Sequence, residues 1–80
     1  MDRMMSYDEV KLAQRIIGLR GTAFKARGNG WSYRFTKDRE ALMSLQAKGH
    51  AIGIGPTSRW KLTPLGIQQL KLQIGEFTFR

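Results

Sequence analysis

Eighty residues are enough for one domain with a single small core, and the lack of cysteine excludes disulfides and thiolate metal sites. One histidine excludes a multi-histidine cluster, no apolar run approaches the ~18 residues of a membrane span, and the N-terminus lacks the apolar centre of a signal peptide, so the expected compartment is the cytoplasm. Fourteen Lys and Arg against six Asp and Glu give a net charge of +8 and a pI of about 10.7, and a small domain this basic is expected to meet a polyanion.

Met1 to Met5 reads as a loose end. Ser6-Tyr7-Asp8-Glu9 is a capping box, because the Ser6 hydroxyl accepts from the Glu9 amide while the Glu9 carboxylate reaches back to Ser6. A helix follows over about Tyr7 to Leu19. Val10, Ala13, Ile16 and Ile17 form its core stripe, Lys11, Gln14 and Arg15 fall outside it, and Gly18 and Gly21 bracket its end. Leu19 to Arg27 is compatible with a short helix capped at Thr22 and ended by Gly28. After the turn signal Asn29-Gly30, Trp31, Tyr33 and Phe35 alternate with Ser32 and Arg34, which reads as a strand.

The next helix is expected over about 36–48. Thr36 serves as N-cap, Asp38 and Glu40 lie near the positive end of the dipole, Ala41, Leu42 and Leu45 form the apolar stripe, and Lys48-Gly49 closes the last turn. Two alternating segments then make a hairpin. Ile52 and Ile54 share one face of the first, Trp60 and Leu62 share one face of the second with Arg59 and Lys61 opposite, and Gly55-Pro56-Thr57-Ser58 is the connecting turn. Thr63-Pro64 starts a third helix carrying Ile67, Leu70 and Ile74, which Gly75 stops. Phe77 and Phe79 then lie on one side of a short strand or apolar tail, expected to pack on the core or on a second subunit.

Residues 36 to 66 resemble the recognition helix and wing of winged helix-turn-helix proteins. The likeness rests on Leu42, Leu45 and Lys48-Gly49, on Ile52 and Ile54, and on Leu62-Thr63-Pro64-Leu65-Gly66. It implies a single α+β winged-helix-like domain with about three helices and a two- to three-stranded antiparallel sheet. It also implies a helix in the DNA major groove and a hairpin on the flanking backbone. Where such proteins carry an amphipathic second helix, this chain has glycines and aromatics. Both a helix-turn-helix pair and a helix-plus-hairpin unit in another α+β fold remain open.

Routes to an enzyme fail on the residues present. A Ser-His-acid triad would need His50, at the entry to a strand, and Asp38 and Glu40 are spaced to point apart on a helix. Gly28-Asn29-Gly30 and Gly53-Ile54-Gly55 are too short for phosphate fingerprints. No cofactor, metal or membrane partner is expected.

Binding fits better. Between Glu9 and Asp38 stand Lys11, Arg15, Arg20, Lys25, Arg27, Arg34 and Lys37 with no acid. Lys37 and Arg39, at the start of the helix, are placed to meet base edges. Ser58, Arg59 and Lys61 belong to the wing, and Arg15, Arg20, Lys25, Arg27 and Arg34 supply phosphate contacts. The expected partner is double-stranded DNA, and the expected role is a small transcriptional regulator or accessory factor of the kind phages and mobile elements carry. A homodimer through Phe77 and Phe79 is compatible with this. Two other readings stand beside it: a basic module docking on an acidic protein, and an RNA or single-strand binder through Trp31, Tyr33 and Phe35.

Overall fold

A computed structural model describes residues 3–19, 24–32, 38–54 and 59–80. Ser6 opens the first helix, α1 (Tyr7–Ile16), through the expected capping box: the Glu9 amide donates to Ser6 Oγ and the Ser6 amide donates to Glu9 Oε1. The helix ends a turn earlier than its hydrophobic pattern suggests. Gly18, at φ +70°, sits in the left-handed region; its amide reaches the Arg15 carbonyl and the Leu19 amide reaches that of Gln14. This pair of bonds is the Schellman stop, which favours glycine.

Where a short helix was compatible before Gly28, the described residues 24–28 form none: Lys25–Ala26 is a strand, β1, and the proposed cap Thr22 lies outside the described residues. β1 pairs in parallel with β5 (Thr78–Phe79) at the other end of the chain, Lys25 facing Thr78 and Ala26 facing Phe79. Tertiary pairing with the C-terminal segment overrides local helix propensity here. Phe77 goes into the core, while Phe79 remains 39% exposed with its ring edge-on to Phe77.

β2 (Trp31–Ser32), β3 (Ala51–Ile54) and β4 (Arg59–Leu62) form an antiparallel sheet in the order β2-β4-β3. Tyr33, Arg34 and Phe35, expected to prolong β2, lie outside the described residues. Trp31 faces Trp60, so the same register places residue 29 opposite Leu62. There the Asn29 side chain replaces a strand residue: its Nδ2 donates to the Leu62 carbonyl and its Oδ1 accepts from the Leu62 amide, both at 2.8 Å. The backbone on either side of it is thereby free to turn towards α1, and the Gly28 and Gly30 amides bond the Ile17 and Ile16 carbonyls.

The second helix, α2 (Arg39–Ala47), has its N-cap two residues later than expected. Asp38 occupies its N-cap position without a capping bond, and Thr36 lies outside the described residues. Its end is as expected. Gly49, at φ +77°, lets the His50 amide reach the Leu45 carbonyl and the Gly49 amide reach that of Gln46, a second Schellman stop. Thr63 caps the third helix, α3 (Pro64–Ile74), by accepting from the Gly66 amide. Ile16, Ile17, Leu45, Leu62 and Leu70 are fully buried together, and Val10, Trp31, Trp60 and Ile67 pack around them. The chain is thus a compact α+β domain of three helices, a three-stranded antiparallel sheet and a two-stranded parallel one among the described residues. None of those helices is long and apolar enough to cross a membrane.

Ile52 and Ile54 share a face as expected, and pairing with Lys61 and Arg59 makes it the outward one; Ala51 and Leu62 are the inward residues. One expectation about exposure is corrected. Met5 is not loose. It is buried, and the Gln73 side-chain amide accepts from its N–H and donates to its carbonyl.

A polar group is built into this core. Glu9 is buried with its Oε1 at 2.9 Å from Lys48 Nζ, which also donates to the Met4 carbonyl. His50 is fully buried, and neither ring nitrogen has a partner among the described residues. Burial pushes its pKa below the ordinary 6.5, against the opposing pull of the Glu9 charge. For Glu9, burial raises the pKa, but the Lys48 and Ser6 hydrogen bonds outweigh it and hold the carboxyl below 4.5.

Both shifts make acid destabilising. The unfolded chain takes up protons before the native one, first at His50 below pH 6.5 and then at Glu9 below 4.5. Urea midpoints should fall between pH 7 and pH 5, and His50→Leu should flatten that slope. An unchanged slope in the variant would assign the acid response to other groups. A second expectation concerns Gly66, where an added Cβ would overlap the His50 carbonyl oxygen. Gly66→Ala should cost about 2 kcal/mol by thermal unfolding, because the clash, about 1–3 kcal/mol or more, exceeds the gain in helix propensity. A neutral or stabilising effect would mean that the α3–His50 approach is looser.

Candidate nucleic-acid interface

The cations do not spread evenly. α1 ends in a turn whose outward side chains, Lys11, Gln14 and Arg15, fall outside the core stripe. The loop that Asn29 and the glycine amides pull against that end brings Arg27 beside it. The ideal Cβ position of Gly18 is 2.8 Å from Arg27 Cβ, so Arg27 packs directly on the glycine backbone. Arg59, on the outward face of β4 opposite Ser32, runs diagonally to the loop: Arg59 Nη2 lies 2.9 Å from where a Gly30 Cβ would stand.

The result is a cleft in two connected parts. One, of about 500 Å³, is bounded by Lys11, Gln14, Arg15, Arg27 and Trp31. The other, of about 290 Å³, lies between Arg15, Arg27 and Arg59 over the backbone of Gly28, Asn29 and Gly30. Arg15, Gly18 and Arg27 belong to both. No carboxylate is among the described residues lining either part. Beyond Arg59 the basic track continues onto the outward sheet face at Lys61, which is flanked by Ile52 and Ile54.

The neighbouring groove between α1 and α2 has the opposite balance. Asp8, Asp38 and Glu40 line it together with Lys11 and Arg15, and Arg15 Nη1 pairs with Asp38 Oδ2 at 2.8 Å. Lys11 lies 4.8 Å from the Tyr7 ring centre, and its contact with Tyr7 holds its pKa above the ordinary lysine value. Its charge is therefore retained throughout the neutral range.

The expected site residues divide accordingly. Arg27 and Arg59 come together in the cleft. Lys61 lies on the sheet face next to it, Lys25 is exposed on β1, and Arg39 is exposed on α2. Arg20, Arg34, Lys37 and Ser58 lie outside the described residues. The outward side of α2 carries Arg39, Glu40, Met43 and Gln46, so its described part is close to electrically neutral. The sequence does not single out Gln14, Asn29 and Trp31 as parts of one site. Gln14 and Arg15 were legible as off-stripe positions; the role of Asn29 had no signal beyond a turn.

Comparison with family models, curated proteins and solved structures returns no match, so the cleft is interpreted from its own chemistry.

Proposed function

We propose that this protein binds nucleic acid, with duplex DNA as the partner, along the track Lys11, Arg15, Arg27, Arg59 and Lys61. The observation that carries the reading is a cleft lined by three arginines, Arg15, Arg27 and Arg59, over a glycine backbone with no acid among its described lining residues. Of the three, Arg15 is shared with the adjacent groove, where it pairs with Asp38 and where three carboxylates stand beside it and Lys11. Arginine forks are the groups that phosphate oxygens accept from in pairs.

The choice of DNA draws on the likeness of residues 36–66 to a recognition helix and wing. A helix leading into a β-hairpin, flanked by a third strand on the far side of β4, supports it. No helix lies between α1 and α2 among the described residues, so α1, packed against α2, would stand in for the first member of the pair. In this reading the end of α1 and the glycine loop hold the backbone, α2 lies at the groove, and the protein acts as a small regulator or accessory factor. A second reading rests on Ile52 and Ile54, which stand exposed beside Lys61 on the sheet face and suit an acidic, apolar protein segment.

Binding to a random-sequence duplex should weaken with salt, with log affinity falling at a slope of about −4 to −5 for five phosphate contacts. Arg27→Ala and Arg59→Ala should each flatten the slope by about 1. Gly28 offers a cleaner block, because nothing lies within 4 Å of its Cβ position and it lines the cleft. Gly28→Glu should abolish binding while leaving the unfolding midpoint almost unchanged. No affinity for duplex at low salt, or undiminished affinity in Gly28→Glu, would overturn the proposal.

A further inference from the structure

α3 turns an uncharged, partly apolar face to solvent. Gly66 and Leu70 are buried on its inner side, and Leu65, Gln68 and Leu72 lie exposed on the opposite one. Leu72, at 74% exposure, is the most exposed large apolar side chain among the described residues. Pro64 to Leu70 contains no ionisable residue. The cation of the helix, Lys71, is engaged at its side: its Nζ stands 5.2 Å from the Phe77 ring centre and 3.8 Å from Glu76 Oε2. The exposed pattern also reads the same from either end. Leu65-x-x-Gln68-Gln69-x-x-Leu72 is a palindrome about the bond between the two glutamines. Such symmetry suits an antiparallel pair of identical helices, in which residue i of one copy meets residue j of the other and j meets i.

We infer that two copies of this chain associate through α3, antiparallel about a twofold axis, with Leu65 of each copy against Leu72 of the other. The two leucines are about 10 Å apart along the helix and fall on one face, so both ends of the contact close together. Between them Gln68 meets Gln69 of the second copy, and a glutamine amide both donates and accepts. The Gln69 nitrogen is given to Gln73 Oε1 at 2.8 Å, and its oxygen is the group that accepts from Gln68 across the axis. Charge selects the occupant. Two copies at +8 repel where their basic surfaces approach, and this face lets them meet without bringing ionised groups together. A partner recognised by opposite charge is drawn instead to the basic cleft and the sheet face beside it. One helix face is a small interface, under the roughly 1,200 Å² of standard ones, so the dissociation constant is expected at roughly tens of micromolar. None of these residues lines the cleft, so association does not require nucleic acid, and it presents two clefts in one assembly.

The test is sedimentation velocity on the full chain without nucleic acid, from about 5 to about 500 μM, in about 0.15 M salt to screen the repulsion. The average mass should rise from one chain towards two. Leu65→Glu and Leu72→Lys should each weaken association at least about tenfold, because each places two unpaired charges in the twofold contact. Leu72 is 74% exposed, so Leu72→Lys should leave the unfolding midpoint of the dilute protein unchanged. An equimolar mixture of the two variants should recover association: the new carboxylate and the new ammonium face each other at one end, and a leucine pair remains at the other. A mixture of Leu72→Glu with Leu72→Lys should not recover it, because the twofold axis holds those positions apart. A single-chain mass at about 500 μM, or a dimer that Leu72→Lys leaves intact, would overturn the proposal. Failure of the first mixture, or recovery in the second, would overturn the antiparallel pairing. Each of these results leaves the nucleic-acid reading standing.

Discussion

The carbonyl of His50 is where the fold is tied. It accepts from the Thr63 amide, and the α3 backbone at Gly66 passes against it too closely for any side chain. The Thr63 hydroxyl donates to the neighbouring Gly49 carbonyl and accepts from the Gly66 amide. One short junction thus joins the end of α2, the start of β3, the end of β4 and the start of α3. A domain of this size buries too little apolar surface to tolerate a loose corner. The glycine at 66 is a requirement of that crossing, independent of any ligand.

The same small core explains why polar side chains do structural work here. Asn29 completes the sheet beside Leu62, and Gln73 holds Met5, each by a two-way amide bridge to backbone. Glu9 and Lys48 pair where α1 meets the end of α2, with His50 buried nearby. These groups fix where the elements meet, and the orphaned His50 ring is a cost the fold carries at neutral pH. The position of the cleft follows from them. The Asn29 bridge ties the glycine loop to β4 while the Gly28 and Gly30 amides tie it to the end of α1, which brings Arg27 and Arg59 to one cleft.

Much of this was legible in the sequence. The capping box at Ser6, the stop at Gly49, the two strands of the hairpin and the Thr63-Pro64 start all formed, because each is set by bonds within a few residues. The errors lie where distant segments decide. β1 exists because β5 pairs with it from fifty residues away, and Met5 is held by Gln73 near the other end of the chain. The shared face of Ile52 and Ile54 was legible, but that it is the outward one follows only from the pairing that puts Ala51 and Leu62 on the core side. For the site, the sequence pointed to basic residues without showing how carboxylates would divide them. Arg27 and Arg59 could be named from charge, but Asp38 beside Arg15 and the near-neutral outward side of α2 appear only in three dimensions.

In the proposed function, the acid-free cleft rather than the outward side of α2 holds nucleic acid. Amide chemical-shift mapping during titration with a duplex tests it most directly. The largest changes should fall over Lys11 to Leu19, Arg27 to Ser32 and Arg59 to Lys61, with smaller ones along Met43 to Ala47. Changes concentrated on Arg39, Met43 and Gln46 with a silent glycine loop would contradict it, and would return the recognition surface to α2.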